Sequence, residues 1–123
     1  MITNILIVSS YQLFITTLKE FLERNSEIEV RVNTTRKNSE IITEINNYNT
    51  DILLIDFDNY DEDGGVINSI KFLRKYKKNL KIIVFVFEDI DYQNLSDLVD
   101  AVILKEEIYI KLIVELKNIL GIK

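Results

Sequence analysis

Histidine, cysteine and proline are all missing from the 123 residues, and glycine occurs only three times. Without cysteine there is neither a disulfide framework nor a thiolate metal site, and a reducing compartment is the natural default. Without histidine there is no imidazole base, no imidazole metal ligand and no side chain to serve as a phosphohistidine carrier. A net charge of −5 leaves no basic stripe of the kind that neutralises nucleic-acid phosphates. Long apolar runs are absent as well: Ile5 to Val8 follows Met1-Ile2-Thr3-Asn4 with no basic region before it, too short for a signal-peptide core or a membrane span. A soluble, cytoplasmic protein is expected, with no membrane or nucleic-acid contact of its own.

What is present suits one domain over residues 1–123, since 47% of the residues are apolar and can supply a core without staples. The runs Ile5 to Val8, Ile52 to Ile55 and Ile82 to Phe87 are short, rich in branched and aromatic residues, and continuous, as buried parallel strands are. Two more strands are expected at Ile28 to Val32, whose alternation suits a sheet edge, and at Ala101 to Leu104. Helical spacing joins Phe14, Leu18, Phe21 and Leu22, then Ile41, Ile42, Ile45 and Tyr48, then Ile67, Ile70, Leu73 and Tyr76. A last helix carries Ile108, Leu112, Ile113, Leu116 and Ile119 on one face, with Gly121 as its stop, and a short polar one is expected over Ile90 to Val99. Five β-α units in strict alternation predict an α/β fold: a doubly wound, five-stranded parallel sheet of order 2-1-3-4-5 with five helices, flavodoxin-like in outline. In such sheets the site lies beyond the carboxyl ends of the strands, between the first and third, which here means Ser9, Ser10 and Asp56.

The segment Asp51 to Asp63, DILLIDFDNYDED, holds six acids and no base, and Asp56 ends its apolar run. An isolated Asp there would merely open a polar loop. Its company is more informative: Lys105 follows the fifth strand in VILK, and Gly64 lies eight residues after Asp56.

This constellation resembles the receiver domain of two-component response regulators, the CheY-like fold, over essentially the whole chain. NILIVSS stands where that family has a strand ending in paired acids, DILLIDFDNYDEDGG matches its phosphoacceptor strand and loop, and KIIVFVFED and AVILK match its fourth and fifth strands. The stretch SSYQLFITTLKEFLERNSEIEVRV looks closest to the branch whose receivers precede a DNA-binding domain. The resemblance implies a non-enzymatic part in phosphorelay signal transduction. Asp56 would be the phosphoacceptor, Lys105 the phosphate-binding lysine, and Mg²⁺ would be held by the acidic pair, by Asp56 and by the backbone carbonyl of Asp58. It also implies protein partners, either a sensor histidine kinase or an effector domain, and homodimers are common among such modules.

The chain departs from that pattern at its metal pocket and switch positions, in a shorter interval from Val86 to Lys105, and in Glu106, which follows Lys105 where the family frequently has Pro. Ser9 and Ser10 replace the acidic pair, and losing two of three carboxylates should weaken a Mg²⁺ site by on the order of several kcal/mol. Ser9 with Gln12 three residues on has the capping-box pattern, so a helix cap is its expected role. Val86 stands where the family has a Thr or Ser that bonds the phosphoryl group, and Val102 where it has a Tyr or Phe that changes rotamer in response. An atypical, degenerate receiver is therefore expected, one that regulates by protein contact without phosphorylation. In it Asp56 is a polar anchor paired with Lys105, no resident cofactor is expected, and Mg²⁺ binds at most weakly at Asp56 and Asp58. The alternative for Lys105 is an ordinary solvated side chain.

Two other functions compete. A phosphorylatable receiver could recruit metal differently, through the side chains of Asp58, Glu88 or Asp89. An enzyme reading rests on Asp56-Phe57-Asp58, which looks like the nucleophile motif of haloacid-dehalogenase-type phosphatases, although that family carries it on the opening strand. Flavin binding is disfavoured because Ser9-Ser10-Tyr11-Gln12 offers no glycine for a phosphate cradle. The run Lys71, Arg74, Lys75, Lys77, Lys78 and Lys81 contains no acid; it reads as a solvated helix face before a docking patch for an acidic partner. Asp58, Asp61, Glu62 and Asp63 do not fit the EF-hand spacing.

Overall fold

A computed structural model describes residues 2–57, 65–87 and 95–122. Along the chain these form β1 (Thr3–Val8), α1 (Gln12–Arg24), β2 (Val30–Thr35), α2 (Ile41–Tyr48), β3 (Ile52–Asp56), α3 (Gly65–Tyr76), β4 (Lys81–Val86), β5 (Ala101–Leu104) and α4 (Ile108–Leu120). Short 3₁₀ turns, Asn38–Glu40 and Lys105–Glu107, lead into α2 and α4.

The five strands pair in parallel in the order β2-β1-β3-β4-β5. Alternation along each buried strand sends side chains to opposite layers. Leu6, Val8, Leu53, Ile55, Ile82 and Val84 meet Ile41 and Ile45 of α2 and Ile70 and Leu73 of α3. Ile5, Ile7, Ile52, Leu54, Ile83 and Phe85 meet Ile15, Leu18 and Leu22 of α1 and Ile108, Leu112 and Leu116 of α4. Each such Leu or Ile contributes about 2 kcal/mol by leaving water, so the two layers are the main source of stability. The continuous apolar runs are thus a consequence of covering both faces.

Three expectations need correction. First, β2 begins at Val30 and runs to Thr35, later than Ile28 to Val32. Its span follows the pairing with β1, in which Thr3 faces Val30 and Val8 faces Thr35, so the partner's length sets the strand. Ile28 is buried but lies in the bend before the strand. Second, the described residues contain four α-helices and not five. Residues 90–94 of the helix expected over Ile90 to Val99 lie outside the described residues, and Ser96 to Leu98 form a turn closed by Leu98 N–H to the Leu95 carbonyl at 2.8 Å. Leu95 and Val99 are buried in the layer under α2 and α3, and Leu98 packs partly buried against it. Third, Ser9 does not cap α1. The helix starts at Gln12, the residue before it is Tyr11 in extended conformation, and no side chain caps the end.

The helix stop at Gly121 is as read from the sequence. Its φ of 71° is left-handed, and Ile122 N–H closes back on the Lys117 carbonyl at 2.8 Å. Among the described residues no helix is long and apolar enough to cross a membrane.

Candidate functional site

Strand register brings the site together. Val8 faces Ile55, so Ser9 and Asp56 leave β1 and β3 at the same level; Asp56 faces Phe85, and Val86 faces Leu104, so Phe87 and Lys105 leave β4 and β5 together. Lys105 starts two strands away from Asp56, about 10 Å, a span that the lysine and aspartate side chains cover together by reaching toward each other across β4.

The Asp56 carboxylate has no exposed surface, and both oxygens are engaged. Oδ1 lies 2.5 Å from Lys105 Nζ, whose side chain is 12% exposed. Oδ2 accepts the Ser9 hydroxyl proton at 2.8 Å, while Ser9 Oγ accepts the Tyr11 backbone N–H at 3.1 Å. The Ser9 hydroxyl therefore ties the first turn after β1 to the end of β3. A carboxylate taken out of water needs such partners, because the charge costs several kcal/mol when it is left alone.

Aromatic rings surround the ammonium on its other side. Lys105 Nζ lies 4.3 Å from the Phe87 ring centroid, 5.4 Å from that of Phe14 and 5.8 Å from that of Tyr11, all within cation–π range. Tyr11, Phe14, Phe87, Ile108 and Tyr109 line an open groove of about 410 Å³ above it. The sequence places Phe14 on a helix face and Phe87 at the end of a strand, but its local pattern gives none of these rings a role at the site. The available signal was Phe87, the residue after β4, which parallel register sets beside Lys105.

The remaining candidates fall into two groups. Ser10 is half-buried, and its carbonyl accepts Arg36 Nε at 3.3 Å. Val86 is fully buried in the layer under α2 and α3, and Val102, paired with Val84, packs partly buried against the same layer. Both offer only methyl groups. Asp58, Glu88, Asp89 and the acids from Asp61 to Asp63 lie outside the described residues. Among the described residues no three acids converge on a point that could hold a metal ion.

No protein-family model matches the chain, and no curated protein does. Solved structures do match. The RcsB response regulator of Salmonella typhimurium superimposes with a TM-score of 0.81 at 18% identity, over 97% of this chain and 62% of that one. The isolated REC domain of RcsB from Salmonella enterica serovar Typhimurium gives 0.80 at 19% identity, over 98% and 90%. A protein described as pilus assembly-related, from Burkholderia pseudomallei, gives 0.76 at 17%, over 97% and 90%. The chain thus spans about six tenths of the full-length regulator and nine tenths of the isolated domain. At these identities the likeness is one of fold, and the fold is CheY-like.

Proposed function

We propose that residues 1–123 form a single receiver domain of the response-regulator family, acting in two-component signal transduction as a non-enzymatic, cytoplasmic protein-interaction module whose output does not depend on phosphorylation of Asp56. The observation that carries this reading is the engagement of both Asp56 oxygens: Lys105 neutralises one and the Ser9 hydroxyl satisfies the other. The described residues do not suit Mg²⁺, which asks for one or two carboxylates in octahedral array. Here a hydroxyl spends its proton on the only nearby carboxylate they supply, and an ammonium sits at that carboxylate's other oxygen. A phosphoryl dianion approaching Asp56 would meet one ammonium, Lys105, already paired with the carboxylate, and no divalent ion held by an acidic pair.

The switch positions support the same reading. Val86 has no hydroxyl to bond a phosphoryl oxygen, and Val102 has no ring to turn, so neither half of a bistable relay is present. Asp56 keeps the acceptor's position and serves as a buried anchor for Lys105. The partner is a sensor kinase or an effector domain, and pairing with a second copy is compatible with this role.

Incubation with acetyl phosphate and Mg²⁺, followed by intact-mass measurement, tests the reading. An unchanged mass is expected. Stoichiometric gain of one phosphoryl group, lost in Asp56→Asn, would overturn it.

A further inference from the structure

The basic run after α3 begins does not behave as one surface. Arg74 turns inward: Nε donates to the Leu98 carbonyl at 2.9 Å, one terminal nitrogen to the Leu80 carbonyl at 3.0 Å, and the other to Asp100 at 2.6 Å. Lys77 Nζ donates to the Thr50 carbonyl at 2.6 Å. Lys71, Lys75, Lys78 and Lys81 remain exposed, on a stretch from Gly65 to Lys81 that contains no acid in a protein of net charge −5.

Of these four, Lys71 and Lys75 belong to α3, which also forms one wall of an apolar groove. Between α2 and α3 a cleft of about 270 Å³ is lined by Ile41, Ile42, Asn68, Ser69, Phe72 and Leu73. Phe72 is 56% exposed. Its ring stacks on Tyr76 at 6.0 Å between centroids with planes 17° apart, and the Tyr76 hydroxyl donates to Asn46 Oδ1 at 3.0 Å and accepts from Asn46 Nδ2 at 2.8 Å. One wall of the cleft is thereby fixed across both helices before anything binds, which lowers the entropy lost on association. Lys71 and Lys75 lie one turn apart, with Phe72 between them in sequence.

We propose that this groove docks an acidic protein segment that inserts one large apolar side chain beside Phe72 and places its carboxylates near Lys71 and Lys75. The pairing of an apolar cleft with bases that have no acid among them is what selects the occupant: a ring or Leu to fill the cleft, flanked by Asp or Glu. A membrane would ask for a broad apolar helix face, and the described side chains of α3 offer two exposed rings, Phe72 and Tyr76, beside Asn68, Ser69, Lys71 and Lys75. A nucleic acid would ask for a basic footprint larger than four side chains on an acidic protein. The inference stands on a surface separate from Asp56 and does not rest on the state of that residue.

The test uses a short fluorescein-labelled peptide with one Trp flanked by Asp and Glu, followed by anisotropy and by amide chemical shifts of the whole chain. Saturable binding with shifts confined to α2 and α3 is expected, weakened about tenfold by Phe72→Ala and abolished by Lys71→Glu with Lys75→Glu. A peptide with Ala in place of Trp, or Lys in place of its acids, should not bind. Asp56→Asn should leave affinity unchanged, so failure here and failure of the reading of Asp56 are separable. The side chains substituted are exposed, and circular dichroism verifies their folding. Shifts centred elsewhere, equal binding of all peptides, or no saturation would overturn the proposal. So would binding to phosphatidylserine vesicles or to single-stranded DNA through Phe72 with no binding of the acidic peptide.

Discussion

Lys105 Nζ and Asp56 Oδ1 meet at 2.5 Å in a pocket where the carboxylate has no exposed surface. An ion pair held this far from water contributes little net stability, because desolvation offsets the attraction, yet removing one partner strands the other. Lys105→Met should therefore cost about 3 kcal/mol in urea unfolding. The double variant Lys105→Met with Asp56→Asn should lose much less than the sum of the two single changes. A full loss in the double variant would mean that the pair is not the source of the effect.

Ser9 is the second support. Ser9→Ala leaves Tyr11 N–H and Asp56 Oδ2 without the hydroxyl that serves both, and the expected cost is about 1–3 kcal/mol by the same unfolding measurement. A change near zero would show that the hydroxyl is replaceable by water.

Introducing acids tests whether Ser9 and Ser10 are what weakens Mg²⁺ binding at this site. Ser9→Asp with Ser10→Asp adds two carboxylates beside a buried third, so without divalent cations the variant should melt below the parent. Mg²⁺ should raise its melting temperature while leaving that of the parent unchanged. An equal effect of Mg²⁺ on both would show that the native residues already bind it.

How much of this was open to sequence reading depends on the range of the interaction involved. Strands β1, β3 and β4 were legible because burial on both faces demands unbroken apolar runs, β5 from the short apolar run Ala101 to Leu104, and the level of Ser9, Asp56 and Lys105 follows once the strands are parallel. The bounds of β2 were not, because its polar end, Thr34 and Thr35, is held by Ile7 and Val8 of its neighbour. Ser9 carried a capping pattern, yet its hydroxyl found a carboxylate 47 residues away. Local spacing cannot reveal a partner that only the sheet brings near. The inward turn of Arg74 was hidden for the same reason, since Leu98 and Asp100 lie 24 and 26 residues on.

Arg74 joins α3, the start of β4 and the approach to β5, since Asp100 also accepts Ile82 N–H at 2.8 Å. Arg74→Ala should destabilise by about 2 kcal/mol, and Arg74→Lys should recover less than half, because a single ammonium cannot reach all three acceptors. By contrast, Lys117 pairs at 3.0 Å with Glu27, whose side chain is 55% exposed. Glu27→Gln should change stability by no more than about 0.5 kcal/mol. Similar costs at the two sites would refute this ranking.

The central claim is that Asp56 is an anchor and not a working acceptor, and a Mg²⁺ titration followed by amide NMR, with and without beryllofluoride, tests it most directly. The resonances of Ser9, Asp56 and Lys105 are expected to stay in place through the millimolar range of Mg²⁺ and not to respond to beryllofluoride. Saturable Mg²⁺ shifts at those residues, followed by a further change spreading from Asp56 when beryllofluoride is added, would contradict it.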